Sequence, residues 1–298
     1  MMYKNTTETQ GPWRLAITRF KKSPIAIAGA LLLFVIVMAT IVGPMLSPYP
    51  LQYFSVVDRF KSPSLIHPFG TDRYGQDMFI RVLYGGRITL IMAMYSATIT
   101  IVVGTIVGAI SGYNGKWTDK LLMRFTEFIH VMPLLPLLIS FTAVFAFKLE
   151  PIERMLVVMG LYGFLNFPSL ARIIRGQIIV YKNTEFMSAA ELLGLSKTSK
   201  IFKHLLPNVF GVIIASSATV IANAILIELM LSFVGMGFPE TIPTWGNLIP
   251  NIRGANMVNN SYYWMWFFPV TLISLTVISI NLMGEGLRSA LDPKEEGR

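Results

Sequence analysis

Glu228 is the one ionisable residue in an apolar run over 209–234, and a charge there has few uses. Acidic or basic side chains near mid-membrane depth cost up to about 3 kcal/mol on insertion scales, so Glu228 must face protein or water. It either lines a pathway, where a carboxylate meets an amino group, or accepts hydrogen bonds between helices. A second polar concentration is His67-Pro68-Phe69-Gly70-Thr71-Asp72-Arg73-Tyr74-Gly75-Gln76-Asp77. Pro68, Gly70 and Gly75 are turn formers, and Asp72 and Asp77 accept backbone N–H groups, which predicts a rigid ledge. Other chemistries lack their residues. With no cysteine the chain offers no thiol nucleophile, disulfide or zinc thiolate. His67, His130 and His204 stand far apart without metal-binding spacing, and Glu127 reads as a helix-end partner of Arg124 and His130. Gly115-Lys116 precedes Trp117 and lacks the upstream glycine of a phosphate cradle, so the chain itself binds no ATP by that route. No metal or other cofactor is expected in it, and no nucleophile–base pair supports a membrane-embedded enzyme.

The chain that must position these residues has 298 residues, 53% hydrophobic and 14% charged, with a mean hydropathy of +0.58. A soluble chain covers its surface with more charge, so an all-α integral membrane protein is expected. Each crossing needs about 20 apolar helical residues. Six stretches qualify, at about 24–46, 88–112, 124–146, 155–172, 209–234 and 265–284. The fourth is short and holds Asn166 and Pro168, so it is expected to bend inside the bundle, where neighbours satisfy freed backbone groups. Six crossings put both termini on one side, together with 17 of the 25 lysines and arginines. That side is therefore cytoplasmic, although five cations over 47–87 run against the trend. The net charge of +9 reads as topology, and nucleic-acid binding is not expected. Trp13, Ile17 and Phe20, spaced among Arg14, Arg19, Lys21 and Lys22, predict a helix lying in the headgroup layer as a retained anchor, with Pro24 at the bend into the membrane.

Residues 184–207 interrupt the apolar pattern on the cytoplasmic side. Asn183 or Thr184 is suited to cap a helix through Met187, Ala189, Ala190, Leu192 and Leu193, with Glu185 in its first turn. Gly194 stops that helix, Ser196 caps a second one carrying Ile201, Phe202 and Leu205, and Pro207 is expected to break it. Ala189 and Ala190 leave one surface low, and the leucines and Phe202 supply apolar area for a docking partner.

Ala189-Ala190, Gly194 and Leu206-Pro207 together resemble the EAA loop of permease subunits in ABC importers. The resemblance implies that Ser188, Ala189, Ala190, Leu193, Gly194, Leu206 and Pro207 belong to a coupling helix gripped by an ATP-binding subunit. Ser188 stands where that family usually has glutamate. Residues 67–77, running into Arg81-Val82-Leu83-Tyr84-Gly85-Gly86-Arg87, are similar to the HPxGTDxxGRD and RxxxGxR pattern of the "C"-type subunit in the oligopeptide, dipeptide and nickel importers, with Gln76 in place of an arginine. Leu231-Ser232-Phe233-Val234-Gly235-Met236-Gly237, then Pro243-Thr244-Trp245-Gly246, resemble its LSFLGLG and PxWG signatures. Residues 281–293 resemble its NLLGDGLRDALDP ending.

The resemblance implies a type I importer permease with six transmembrane helices. Its implied partners are a second homologous permease, two ATP-binding subunits that bind ATP and Mg, and an extracytoplasmic binding protein, which the Asp72 and Asp77 ledge would either meet or merely stand beside. Oligopeptides or dipeptides are the expected cargo, with nickel chelates or another small solute as the alternative. An ATP-independent secondary transporter is the rival class, but no convincing internal repeat of half the chain supports it. The expected organisation is a cytoplasmic segment over 1–23, a first transmembrane helix and outer loop over 24–87, a core transmembrane domain over 88–287 and a cytoplasmic tail over 288–298.

Overall fold

Lipid offers no hydrogen bonds to a backbone, so a chain this apolar must satisfy its amides within helices. The computed structural model describes residues 18–249 and 262–291. Among these the helices are α1 (Pro24–Leu46), α2 (Met78–Asn114), α3 (Lys116–Val131), α4 (Leu134–Phe145), α5 (Pro151–Lys182), α6 (Glu185–Leu192), α7 (Lys197–Phe233), α8 (Trp245–Leu248) and α9 (Trp264–Leu291). Five of them, α1, α2, α5, α7 and α9, are long and apolar enough to cross a membrane. Taken as one broken span, α3 and α4 supply a sixth crossing, bent by 75°.

Local chemistry sets the ends. Ser23 accepts from the Ala26 N–H at 3.4 Å, and Pro24 opens α1 where no amide donor is needed. Residues 18–22 are helical, while the rest of the expected headgroup helix, 13–17, lies outside the described residues. Asp77 caps α2 by accepting from the Ile80 N–H at 3.1 Å, so this helix starts ten residues before the crossing marked by hydropathy. Its 37 residues give a rod about 55 Å long at 1.5 Å per residue, well beyond the apolar layer.

Two expectations about proline are corrected. The bend falls in the third crossing, and the fourth is continuous: α5 runs for 32 residues through Pro168. Pro133 pushes the preceding Met132 out of helical geometry, to φ −64° and ψ 134°, and separates α3 from α4. Nor does Pro207 break the hairpin's second helix, because α7 passes through it. A π-helical turn over Lys200–Leu205 precedes it and widens the backbone where the proline ring would crowd the carbonyl four residues back.

α5 packs closely on α2. Gly104, Gly108 and Gly112 repeat every fourth residue and face Leu170, Ala171, Ile174 and Ile178, so the two backbones approach closely along most of their shared length. A Cβ on Gly108 would stand 2.6 Å from the Ala171 carbonyl oxygen. Thr100 Oγ1 donates to the Gly163 carbonyl at 2.8 Å across the same seam. At the α3 end Arg175 makes a two-pronged pair with Asp119, at 2.5 and 2.6 Å, which ties α3 to α5. By contrast α1 turns Leu31, Phe34, Val35, Met38 and Val42 outward, an all-apolar face suited to lipid.

The close seam is testable against a control on the facing helix. Gly108→Val should lower the thermal midpoint of the detergent-solubilised protein, by a destabilisation of about 1–3 kcal/mol for overpacking. Gly176→Val, where an added Cβ meets nothing within 4 Å, should leave it nearly unchanged. Equal effects would mean that helix propensity, and not the seam, is being read.

Candidate functional site

Two polar constructions stand at opposite ends of α2. At its C-terminal end lies the hairpin. Thr184 precedes α6 and donates its hydroxyl to the Tyr181 carbonyl at 2.6 Å, while the α6 helix closes on Gly194. Gly194 has φ +68°, and the Leu195 and Gly194 N–H groups return to the carbonyls of Ala190 at 3.2 Å and Glu191 at 3.0 Å. This is the double hydrogen bond that a left-handed glycine permits at a helix end. Ser196 then caps α7, accepting from the Ser199 N–H at 3.2 Å. Across the turn Lys200 Nζ stands 3.6 Å from Glu191 Oε1. Lys182 Nζ donates to the Tyr113 carbonyl at 2.8 Å and so joins the base of the hairpin to the end of α2.

The structure divides the expected hairpin residues between two faces. Ser188, Ala189, Leu193, Gly194 and Pro207 are exposed. Ala190 is buried beside Met187, and Leu206 is half-buried against Val209, Ile213 and Ile174, so these two shape the hairpin from within. The low surface expected from both alanines is therefore Ala189 alone. The knuckle is made chiefly by Leu192, 90% exposed, Leu193 at 79% and Phe202 at 60%.

At the other end of α2 the sequence motifs meet one another. Asp72 Oδ1 accepts from the N–H groups of Tyr74 and Gln76, both at 2.8 Å, and burial pushes the Asp72 carboxyl above its ordinary value against the pull of those donors and of Arg81. Besides capping α2, Asp77 holds His67 Nδ1 at 2.7 Å. Gln76 accepts from Arg81 Nη1, and Arg81 Nη2 reaches the Glu240 carbonyl at 3.1 Å. Arg73 pairs with the Glu240 side chain at 2.5 Å, so the loop between α1 and α2 is bolted to the segment after α7.

That segment folds back onto α2. Trp245 sends its indole N–H to the Val82 carbonyl at 2.9 Å, and its backbone N–H goes to Thr89 Oγ1 at 3.1 Å. The room for it comes from Gly85 and Gly86: an added Cβ would stand 3.1 Å from the Thr244 carbonyl carbon or 2.5 Å from the Trp245 ring. Asn247 Nδ2 donates to the carbonyls of Phe238, Pro239 and Ile242 at 2.8–3.2 Å and fixes the loop on itself. Beneath lies Glu228, fully buried. Its carboxylate accepts from Ser232 at 2.9 Å, Thr244 at 2.8 Å and Thr89 at 3.3 Å. Of the two uses open to it from sequence, this geometry is that of a joint between α2, α7 and the returning segment. Sequence inspection missed Thr89 and Arg81 as its supports. Only the adjacent glycines at 85 and 86 hinted that another segment approached there.

Five long apolar helices and a sixth, bent pair mark a multi-pass membrane protein. The chain belongs to the family described as the binding-protein-dependent transport system inner membrane component, whose model matches residues 104–297. A second model, the N-terminal TM domain of oligopeptide transport permease C, matches residues 11–63. Similar proteins include the oligopeptide transport system permease protein OppC of Bacillus subtilis, 34% identical over 95% of this chain and 90% of its own length. The dipeptide transport system permease protein DppC of the same organism is 37% identical over 96% of this chain and 86% of its own. OppC of Haemophilus influenzae is 35% identical over 97% and 90%.

The Glu228 joint predicts a graded response. Glu228→Leu strands three buried hydroxyls without their acceptor, at about 1–3 kcal/mol for a lost buried partner, and should open 234–249 to protease. Glu228→Gln keeps a carbonyl oxygen for Thr244 and Ser232 and should stay close to the unmodified protein. If limited proteolysis finds both variants equally sensitive, the carboxylate is not acting as an acceptor for those hydroxyls.

Proposed function

We propose that this chain is the permease subunit of an ATP-driven, binding-protein-dependent importer of oligopeptides or dipeptides. It shares the translocation path with a second, homologous permease. Two ATP-binding subunits, which carry the ATP and Mg, dock on the cytoplasmic face, one of them on the 184–207 hairpin. An extracytoplasmic binding protein delivers cargo to the opposite end, where the Asp72 and Asp77 ledge stands. Termini and hairpin are cytoplasmic in this reading, as the distribution of lysine and arginine indicates. Peptide cargo follows the names of the relatives, whose similarity covers nearly the whole chain.

The observation that carries the reading is the rigid apolar knuckle of Leu192, Leu193 and Phe202 on a hairpin tied to both α2 and α7. A force applied at the knuckle passes into helices that run the depth of the membrane, because the turn is closed by backbone bonds and offers little slack. Ser188, a small hydroxyl, leaves docking to shape and apolar contact. Importers of the same architecture for nickel chelates or another small solute are separated from this reading by uptake assays with each cargo, and a secondary transporter by whether an ATPase subunit co-purifies in detergent.

Leu193→Arg changes an exposed side chain and should leave insertion intact while cutting ATP-driven uptake by roughly tenfold or more, as expected for an interface anchor. Gly194→Val should do likewise through backbone strain alone, because its φ is +68° and an added Cβ would meet nothing within 4 Å. Undiminished uptake in vesicles from both variants would sink the docking assignment.

A further inference from the structure

Several polar side chains in the spans bond to the backbone of their own helix. Ser217 Oγ returns to the Ile213 carbonyl at 2.7 Å, Thr276 to Leu272 at 2.7 Å and Thr142 to Leu138 at 2.8 Å. Thr219 and Asn223 on α7 differ: both are exposed, and among the described residues neither side chain has a hydrogen-bond partner. They sit deep. Thr219 is about 18 Å along the axis from Pro207, and Asn223 about 15 Å from Phe233, so both lie near the middle of the crossing.

Spaced three to four residues apart, Thr219, Asn223, Leu226 and Met230 form one exposed stripe. The other sides of α7 are covered: Ala218 meets Gly284 of α9, Val209 and Ile213 pack with α5, and Glu228 joins α2. A free carboxamide at mid-membrane depth is costly against lipid, and the lipid-suited face of α1 carries nothing like it. Water or a polar occupant must meet this stripe.

We propose that the Thr219, Asn223, Leu226 and Met230 face lines the water-filled cargo path, with Asn223 hydrogen-bonding the backbone of an extended peptide; this rests on the importer reading above. The chemistry matches. A carboxamide donates and accepts as a peptide bond does, and the backbone is the part that peptides of every sequence share. Leu226 and Met230 add adaptable apolar contact, which tolerates varied side chains.

The absence of cysteine from this chain makes the test direct. In the assembled complex, Asn223→Cys, Thr219→Cys and Val35→Cys each place a single thiol in this subunit, the last on the α1 face suited to lipid. A charged, membrane-impermeant methanethiosulfonate reagent should modify the thiols at 219 and 223 at least about tenfold faster than the one at 35. Modification at 223 no faster than at 35 would overturn the proposal, as burial against the second permease would require. In vesicles, Asn223→Leu should keep the second permease and ATP hydrolysis while trialanine uptake falls roughly fivefold, the loss of one hydrogen bond. Dissociation of the second permease, or uptake at the unmodified rate, would equally overturn it. If the unmodified complex takes up no trialanine, the importer reading fails, while the thiol rates still decide whether this face is wet.

Discussion

Three hydroxyls converge on the buried carboxylate of Glu228, and each comes from a different place: Thr89 in α2, Ser232 in α7 and Thr244 in the segment that turns back after α7. In an apolar layer none of these groups has water to fall back on, so each is held by the others. The constraint then spreads. Because Thr244 is pinned, Trp245 lies against Gly85 and Gly86. With Trp245 seated, Glu240 stands within reach of Arg73 and Arg81, and the loop between α1 and α2 is fixed in turn.

This joint explains why two sequence-distant stretches carry glycines at paired places. Gly85 and Gly86 clear the surface of α2, while Gly237 and Gly246 let the returning segment close on Ser232, whose side chain would crowd any Cβ there. Small residues let backbones approach, and close backbones bring short polar side chains within bonding distance. The same logic operates in the seam of Gly104, Gly108 and Gly112, where α2 meets α5. One helix thus has its N-terminal end locked into the cap, its C-terminal third packed on α5 and its last turn bonded to the hairpin through Lys182.

The sequence made the crossings legible because a run of about 20 apolar residues has few other uses. The hairpin was legible through Gly194 and Ser196, whose roles at helix ends are local. What failed was everything decided by neighbours. Pro168 looked like a bend, yet α5 stays helical through it; the chain breaks instead at Met132-Pro133, where the residue before proline takes an extended backbone. Ala190 looked like a docking surface and is interior, because the face of a short helix that turns inward depends on where α7 begins. The glycine triplet at 104, 108 and 112 was visible as a four-residue repeat, and it forecasts the α2–α5 seam.

The bend between α3 and α4 follows from a mismatch of lengths. Twelve residues of α4 span about 18 Å, too little to cross alone, and the exposed large apolar side chains of the 16-residue α3, Trp117, Leu121, Phe125, Phe128 and Val131, run along one stripe. A straight helix through both would carry Asp119, Lys120, Arg124 and Glu127 down one side of the crossing. The turn at Pro133 lets α3 leave the axis of α4, and Arg175 neutralises Asp119 at the junction with α5. The aromatic stripe of α3 is then free to meet lipid or another subunit while its charges stay at the edge. Proline here acts as a divider between a segment that must be buried and one that must straddle a boundary.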